Sequence, residues 1–173
     1  MIGTLIANTL RFLLLVLLQA LVIDHVDLAN GWVVPYLYVL FLFMLPLDIP
    51  AWAGMLIGAF TGLVMDFFSN TPGMHAGACT LLMYTRTWVL RALAPREGYD
   101  QGLRATVADM GLAWYMTYTG LLVLVHHLWL FYVEVFRFDG FFATLLRVLA
   151  SGAATVVLCL LAQLLMARAS RIR

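Results

Sequence analysis

The side chains that could do chemistry in this chain gather around one turn. Asp66 sits inside an apolar run, Ser-Asn-Thr-Pro-Gly follows at 69–73, and His75 opens the next apolar run. If both runs are helices, Pro72 and Gly73 give a tight reversal that brings His75 level with Asp66. A carboxylate in an apolar environment is costly unless it is paired. We therefore expect Asp66 to accept hydrogen bonds from His75, from the polar side chains of the turn, or from the free N–H groups that begin the second helix.

A second group of polar residues, His126, His127 and Glu134, stands at the end of a later apolar run. His127 and Glu134 are seven residues apart, on one face of a helix. Adjacent histidines point about 100° apart on a helix, and no HExxH spacing exists, so a metal site is not predicted. The sequence also contains no nucleophile–base pair, phosphate loop or pair of carboxylates. We predict that the chain is not an enzyme, binds no metal or cofactor, and uses these polar tips as interfacial anchors.

The run that leads to Asp66 carries a regular series of small residues. Gly54, Gly58, Gly62 and Asp66 recur every four residues, which places them on one ridge of a helix. Small residues mark the faces on which membrane helices approach each other closely. The ridge predicts a helix–helix contact inside this protein, and the alternative is a contact with a helix of a partner.

Composition identifies the environment of these residues. Of 173 residues, 64% are hydrophobic and 11% are charged, and the mean hydropathy is +0.97. A soluble domain carries about 25% charged residues, so too few polar side chains are present here to solvate a surface. The net charge of +1 gives no case for nucleic acid. These values predict an integral membrane protein with short connections.

The apolar runs predict an all-α bundle of six transmembrane helices in a single membrane domain, 1–173. The spans are about 4–23, 32–47, 51–68, 74–94, 109–133 and 141–167. The second span is short, and Trp32, Tyr36 and Tyr38 are interpreted as an aromatic belt at its start. In the first span, Gln19 lies deep and is expected to hydrogen-bond across helices.

Arginine placement predicts the orientation, because basic residues near span ends stay in the cytoplasm. With six spans and a cytoplasmic N-terminus, eight arginines fall on the cytoplasmic side and two, Arg137 and Arg147, on the outer side. Both termini are therefore predicted to be cytoplasmic.

Four stretches, taken together in order and spacing, resemble the bacterial rod shape-determining protein MreD family. They are LLQALVID (17–24), the region of Pro46, GAFTGLVMDFFSNTPGMHA (58–76) and HHLWLFYVEVF (126–136). The glycines, aspartate and Pro-Gly turn are the most recognisable feature of that family, and the double histidine is similar to one of its branches. The resemblance covers nearly the whole chain.

The resemblance implies a non-enzymatic scaffold of the elongation machinery in the bacterial inner membrane. Such a protein binds MreC, a single-span protein with a large periplasmic domain. Through MreC it is linked indirectly to MreB filaments, a RodA-type glycosyltransferase and its transpeptidase, and it contacts membrane lipids. The family also resembles the six-helix substrate-binding subunits of energy-coupling-factor transporters. That likeness supplies the alternative, a subunit of a small-molecule transporter of the vitamin type.

Overall fold

The computed structural model describes residues 2–100, 102–136 and 140–171, and 74% of these residues are helical, with no β-strand among them. The elements are α1 (Ile2–Leu21), a 3-10 turn (Ile23–His25), α2 (Val39–Phe43), α3 (Ala51–Ser69), α4 (Met74–Ala92), α5 (Val107–Met110), α6 (Leu112–Val135) and α7 (Phe141–Arg171). α4 packs against α3 and α6, and α6 packs against α7. Arg137 and Arg173, which entered the orientation argument, lie outside the described ranges.

Within the described residues, four helices are long and apolar enough to cross a membrane. They are Leu5–His25, Ala51–Ser69, Leu112–Val135 and Phe141–Met166. Their outward faces expose large apolar side chains, among them Leu14 at 66%, Phe67 at 83% and Leu165 at 69%. Lipid solvates such a surface and water does not. The chain is an all-helical protein with four helices that could span a membrane.

Five of the six segments predicted as spans coincide with the long helices α1, α3, α4, α6 and α7. α4 is not among the four membrane-crossing candidates, and it carries Arg86 and Arg91 on its second half. The remaining segment, the second predicted span, differs from the prediction. Instead of a spanning helix over 32–47, only the five residues of α2 are helical.

The physical reason for this difference is that the segment runs through the interior of the bundle. Every residue from Pro35 to Leu45 is buried. Pro35 and Pro46 flank the helical part and cannot donate an N–H group to a helix. We call residues 34–46 the buried segment. Because its backbone is mostly irregular and is hidden from water, its polar groups need partners from side chains.

Hydroxyl groups of α7 accept two N–H groups from the beginning of the buried segment. Val34 N donates to Ser151 Oγ at 3.0 Å, and Tyr36 N donates to Thr155 Oγ1 at 3.0 Å. Ser151 and Thr155 are both fully buried. Serine and threonine are tolerated in apolar helices, and here their hydroxyls reach across to a neighbouring backbone.

Gln19 of α1 binds the next part of the buried segment with both ends of its amide. Its Oε1 accepts the N–H of Leu37 at 2.6 Å, and its Nε2 donates to Pro35 O at 3.0 Å and to Asp24 Oδ1 at 2.7 Å. Gln19 is fully buried. The predicted hydrogen bond from Gln19 across helices is therefore not the one observed, because its partners are backbone groups of the buried segment and the Asp24 carboxylate.

Arg86 of α4 binds the far end of the buried segment. Its Nη2 donates to Leu45 O at 2.7 Å and to Pro46 O at 3.1 Å, and its Nε donates to Tyr118 OH at 2.7 Å. Tyr118 in turn donates to Phe43 O at 3.2 Å. Arg86 is 2% exposed. The arginine acts here as a forked donor to carbonyl groups, a geometry that a lysine would not reproduce.

The glycine ridge of α3 lies against α4, inside this protein. A Cβ atom at Gly58 would stand 2.7 Å from Cys79 O, and one at Gly62 would overlap the backbone of His75 and Ala76. Contacts this short leave no room for a side chain. The helix–helix contact predicted from the four-residue spacing is therefore the α3–α4 interface.

Replacing Thr155 by valine tests the role of the side chains that bind the buried segment. Thr155→Val keeps the shape but leaves the buried N–H of Tyr36 without an acceptor, so we expect a loss of about 1–3 kcal/mol of stability. Thr117→Val is the matched control, because the exposed Thr117 hydroxyl bonds only to Ala113 O, one turn earlier. The measurement is the unfolding temperature in detergent, followed by tryptophan fluorescence. Equal unfolding temperatures for the two variants would contradict the assignment.

A second pair of variants tests the glycine ridge. Gly62→Ala places a methyl group on backbone atoms that cannot move aside, and we expect it to destabilise the protein by about 1–3 kcal/mol. In Gly54→Ala the new methyl group meets the terminal Cε of Met83, which can rotate away, so this variant should keep the parent stability. Thermal unfolding of both proteins at one scan rate provides the comparison, and a stable Gly62→Ala protein would refute the close-contact interpretation.

Candidate functional site

Asp66 caps the beginning of α4. Its Oδ1 accepts the hydroxyl of Thr71 at 3.0 Å and the N–H of His75 at 2.9 Å, and its Oδ2 accepts the N–H groups of Gly73 at 3.0 Å and Ala76 at 3.1 Å. These N–H groups have no partner inside the helix, and the helix dipole favours a negative charge near them. Of the partners expected from the sequence, Asp66 uses the free N–H groups and one hydroxyl of the turn, and the His75 ring points elsewhere.

The turn between α3 and α4 follows from its residue types. Asn70 has φ 54° and Gly73 has φ 83°, both in the left-handed region that asparagine and glycine enter most easily. Pro72, between them, has no N–H group to satisfy. The end of the bundle that carries this turn is called the turn end below.

The ring of His75 belongs to a buried cluster around Tyr38. The Tyr38 hydroxyl lies 2.9 Å from His75 Nδ1, 2.8 Å from His126 Nε2 and 3.4 Å from Cys79 Sγ. His126 Nδ1 is buried and has no partner. We assign no hydrogen to that atom, because buried N–H groups without an acceptor are rare. His126 Nε2–H then donates to the Tyr38 oxygen, Tyr38 donates to His75 Nδ1, and His75 carries its hydrogen on Nε2.

His127 and Glu134 have separate partners. His127 Nδ1 donates to Val123 O at 2.9 Å. Its Nε2 lies 3.1 Å from the Thr155 hydroxyl, which shares its hydrogen between that nitrogen and Ser151 O at 2.9 Å. Glu134 forms an ion pair with Arg147 at 3.0 Å. The predicted role of interfacial anchor is wrong for His126 and His127, which are fully buried in the interior, whereas Glu134 lies at the surface of the turn end.

A cavity of about 560 Å³ opens at the turn end, between the end of α1, the chain that leads into the buried segment, the α3–α4 turn and the facing ends of α6 and α7. Side chains that can carry a charge or donate a hydrogen bond border it. Six of them are Asp24, Asp27, Tyr36, His75, Glu134 and Arg147. Apolar side chains such as Val33, Met74 and Leu130 complete its wall. A cavity of this size and mixture is typical of a binding site for a small molecule or a side chain.

The structure brings part of the predicted site together. His75 and Glu134 border the cavity, and Gln19 reaches it through its bond to Asp24. Asp66, Pro72 and Gly73 build the turn beside it. Gly54, Gly58 and Gly62 extend away from it along the α3–α4 interface. His127 lies behind the cavity, in the interior.

Sequence reasoning assigned the wrong role to two tyrosines and missed two further residues. Tyr36 and Tyr38 were expected in an interfacial belt, but Tyr38 is fully buried and Tyr36 is 9% exposed. Thr155 and Arg147 were not singled out. Pro35 was the feature of the sequence that could have indicated their roles. A proline in an apolar run interrupts a helix, and the interrupted backbone needs hydrogen-bond partners from other elements.

The arrangement can hold ligands by hydrogen bonds, charge and apolar contact. Among the described residues, no group of three or more histidine, cysteine or acidic side chains has the geometry to hold a metal ion. The two cysteines, Cys79 and Cys159, are free and buried.

An Asp66→Asn variant tests the capping role. Both carboxylate oxygens accept hydrogen bonds, so an amide would direct its NH₂ group at one pair of donors and leave them unpaired. We expect a loss of about 1–3 kcal/mol and faster hydrogen exchange at residues 73–76. Asp48→Asn serves as the control, because the Asp48 carboxylate is exposed and lies just before the other end of α3. Unchanged exchange in Asp66→Asn would show that the carboxylate does not hold the turn.

Comparisons of the chain with protein-family models, with curated proteins and with solved structures found no match.

Proposed function

We propose that the chain is a non-enzymatic scaffold of the elongation machinery in the bacterial inner membrane, that it binds MreC, and that it helps coordinate lateral peptidoglycan synthesis with rod cell shape. The observation that supports this proposal most is the stretch 58–76, on which the resemblance rests. Gly58, Gly62 and Asp66 together hold α3 and α4 in one close-packed hairpin. Because each residue of this pattern has a role in packing the hairpin, the pattern supports the resemblance better than a pattern of surface residues would.

The proposal includes six membrane crossings, resembling the substrate-binding subunits of energy-coupling-factor transporters. The buried segment supplies one crossing. Tyr38 contacts His75 and Leu45 O accepts from Arg86, so this part of the segment runs about 16 Å along α4. That is about half of a hydrocarbon core of about 30 Å, and the residues on either side complete the crossing. α4 supplies another, next to the four apolar helices. The arginine distribution then places both termini in the cytoplasm and the turn end in the periplasm.

Partners of such a scaffold meet it inside the membrane or just outside the turn end. The connection between α3 and α4 is four residues long, which is too short to recruit a soluble protein. α1 offers the largest free helix face, because 22% of its apolar window is buried, compared with 44% for α6. The span of MreC would cover this apolar face without disturbing Gln19, which points inward.

A substrate-binding subunit of a small-molecule transporter is the second candidate. The cavity of about 560 Å³ at the turn end favours it, because a scaffold needs no such opening.

Cross-linking tests partner and orientation together. In a background that lacks Cys79 and Cys159, single cysteines at Asn70 and at Asp100 are coexpressed with MreC, and cells receive an impermeant thiol-reactive cross-linker. We expect MreC to copurify with both proteins and to be cross-linked through its periplasmic domain to Asn70→Cys alone.

Two outcomes would contradict the proposal. Cross-linking or labelling at Asp100→Cys but not at Asn70→Cys would reverse the orientation. A protein that purifies without MreC and retains a bound solute through detergent extraction would favour the transporter subunit.

A further inference from the structure

Two nearly buried polar side chains face the cavity with atoms that no residue in the described ranges binds. His75 is 2% exposed and Tyr36 is 9% exposed, and both border the cavity. His75 Nδ1 is occupied by Tyr38, but the N–H at its Nε2 has no acceptor. The Tyr36 hydroxyl has no partner either, although its backbone N–H is held by Thr155. Neither atom is among the buried atoms that lack a partner, so both can be reached from the cavity. The Tyr36 oxygen can accept a hydrogen bond from a ligand there, and the His75 N–H can donate one.

The charge around the cavity is negative. Asp24, Asp27 and Glu134 border it together with the cation Arg147 and with His25, which is counted as neutral at pH 7. Arg147 pairs with Glu134 and also donates to Trp32 O, so its positive charge is balanced by the charge of Glu134. Two carboxylates remain, and in the described part of the chain neither forms a salt bridge. Asp24 has one oxygen bound by Gln19, and no residue in the described ranges binds the Asp27 carboxylate.

Tyr36 borders the cavity together with the carboxylates, and its ring packs against the buried histidines. It lies 5.3 Å from the His75 ring and 5.4 Å from the His127 ring, measured between centroids. The hydroxyl oxygen of Tyr36 can accept a hydrogen bond from a cation that the neighbouring carboxylates attract.

From these features we infer that the cavity binds a cationic group, an ammonium or a guanidinium, carried on a body small enough for about 560 Å³. The cation lies between Asp24 and Asp27 near the Tyr36 hydroxyl, and the body of the ligand contacts Val33, Met74 and Leu130. This selectivity for a cation goes beyond the proposed function. It holds for a scaffold and for a transporter subunit, because a free amine, an amine-bearing lipid headgroup and a basic side chain of a partner present the same chemistry.

The test uses the purified full-length protein in dodecyl maltoside and an amine-free phosphate buffer. The probes are phenethylamine, which is protonated at neutral pH, and 2-phenylethanol, its neutral counterpart of nearly equal size. Isothermal titration calorimetry is expected to show binding of the amine with a Kd at least about tenfold lower than that of the alcohol. The Kd of the amine should rise with added NaCl, because salt screens the attraction of exposed carboxylates. Equal binding of the two probes, or binding of neither, would overturn the inference.

Charge-removing variants locate the site. Asp27→Asn should raise the Kd of phenethylamine about tenfold, and it should keep the parent unfolding temperature because Asp27 is exposed and makes no internal hydrogen bond. Asp48→Asn removes an exposed carboxylate that does not border the cavity, and its Kd should not change. If both variants bind like the parent, or both bind equally weakly, the cavity is not the site.

A third arm identifies the natural source of the cation. Phosphatidylethanolamine added to the micelles raises the Kd of phenethylamine if the lipid headgroup occupies the cavity. Copurified MreC raises it if a basic side chain of the partner does. A Kd that neither addition changes assigns the cavity to a soluble amine.

Discussion

The structure depends on how an irregular stretch of backbone is accommodated in an apolar interior. An unpaired N–H or C=O group there costs about 1–3 kcal/mol, and of residues 34–46 only the five in α2 are helical. The partners come from side chains on four helices. They are Gln19 of α1, Arg86 of α4, Tyr118 of α6, and Ser151 and Thr155 of α7. Because each helix contributes a bond, the buried segment fixes the helices as much as they fix it.

The same bonds determine the geometry of the cavity. The Tyr36 side chain can face the cavity because its N–H is held by Thr155, whose hydroxyl also pairs with His127. Tyr38, two residues later, points inward to His75 and His126. A change at Thr155 therefore acts on the cavity through the backbone, although Thr155 does not border it. Asp66 contributes from the other side, since the turn that it caps carries His75 into place.

Features with a local period could be predicted from the sequence, and features that depend on non-local partners could not. The spacing of Gly54, Gly58 and Gly62 predicts a close helix contact because four residues make about one turn. Because an unpaired carboxylate in an apolar environment is unfavourable, the sequence likewise predicts that Asp66 accepts hydrogen bonds near the turn. The continuous helix predicted over 32–47 was wrong, because hydropathy does not distinguish a helix that faces lipid from irregular backbone enclosed by other helices. The resulting errors include the roles of Tyr36 and Tyr38, whose partners lie up to 119 residues away in the sequence.

The distribution of burial bears on how the protein could change shape. Moving the buried segment would break several hydrogen bonds at once in a medium without water, so a conformational change of this segment would have a high free-energy cost. α1 is held differently, since one polar residue, Gln19, makes its bonds to the segment, while Phe12 adds contacts with Phe41 and Phe60. A partner or ligand that acts on this protein would therefore shift α1 more easily than any other long helix. Such a shift would pull on Asp24 and the cavity through Gln19, which joins the free apolar face of α1 to the carboxylates at the turn end.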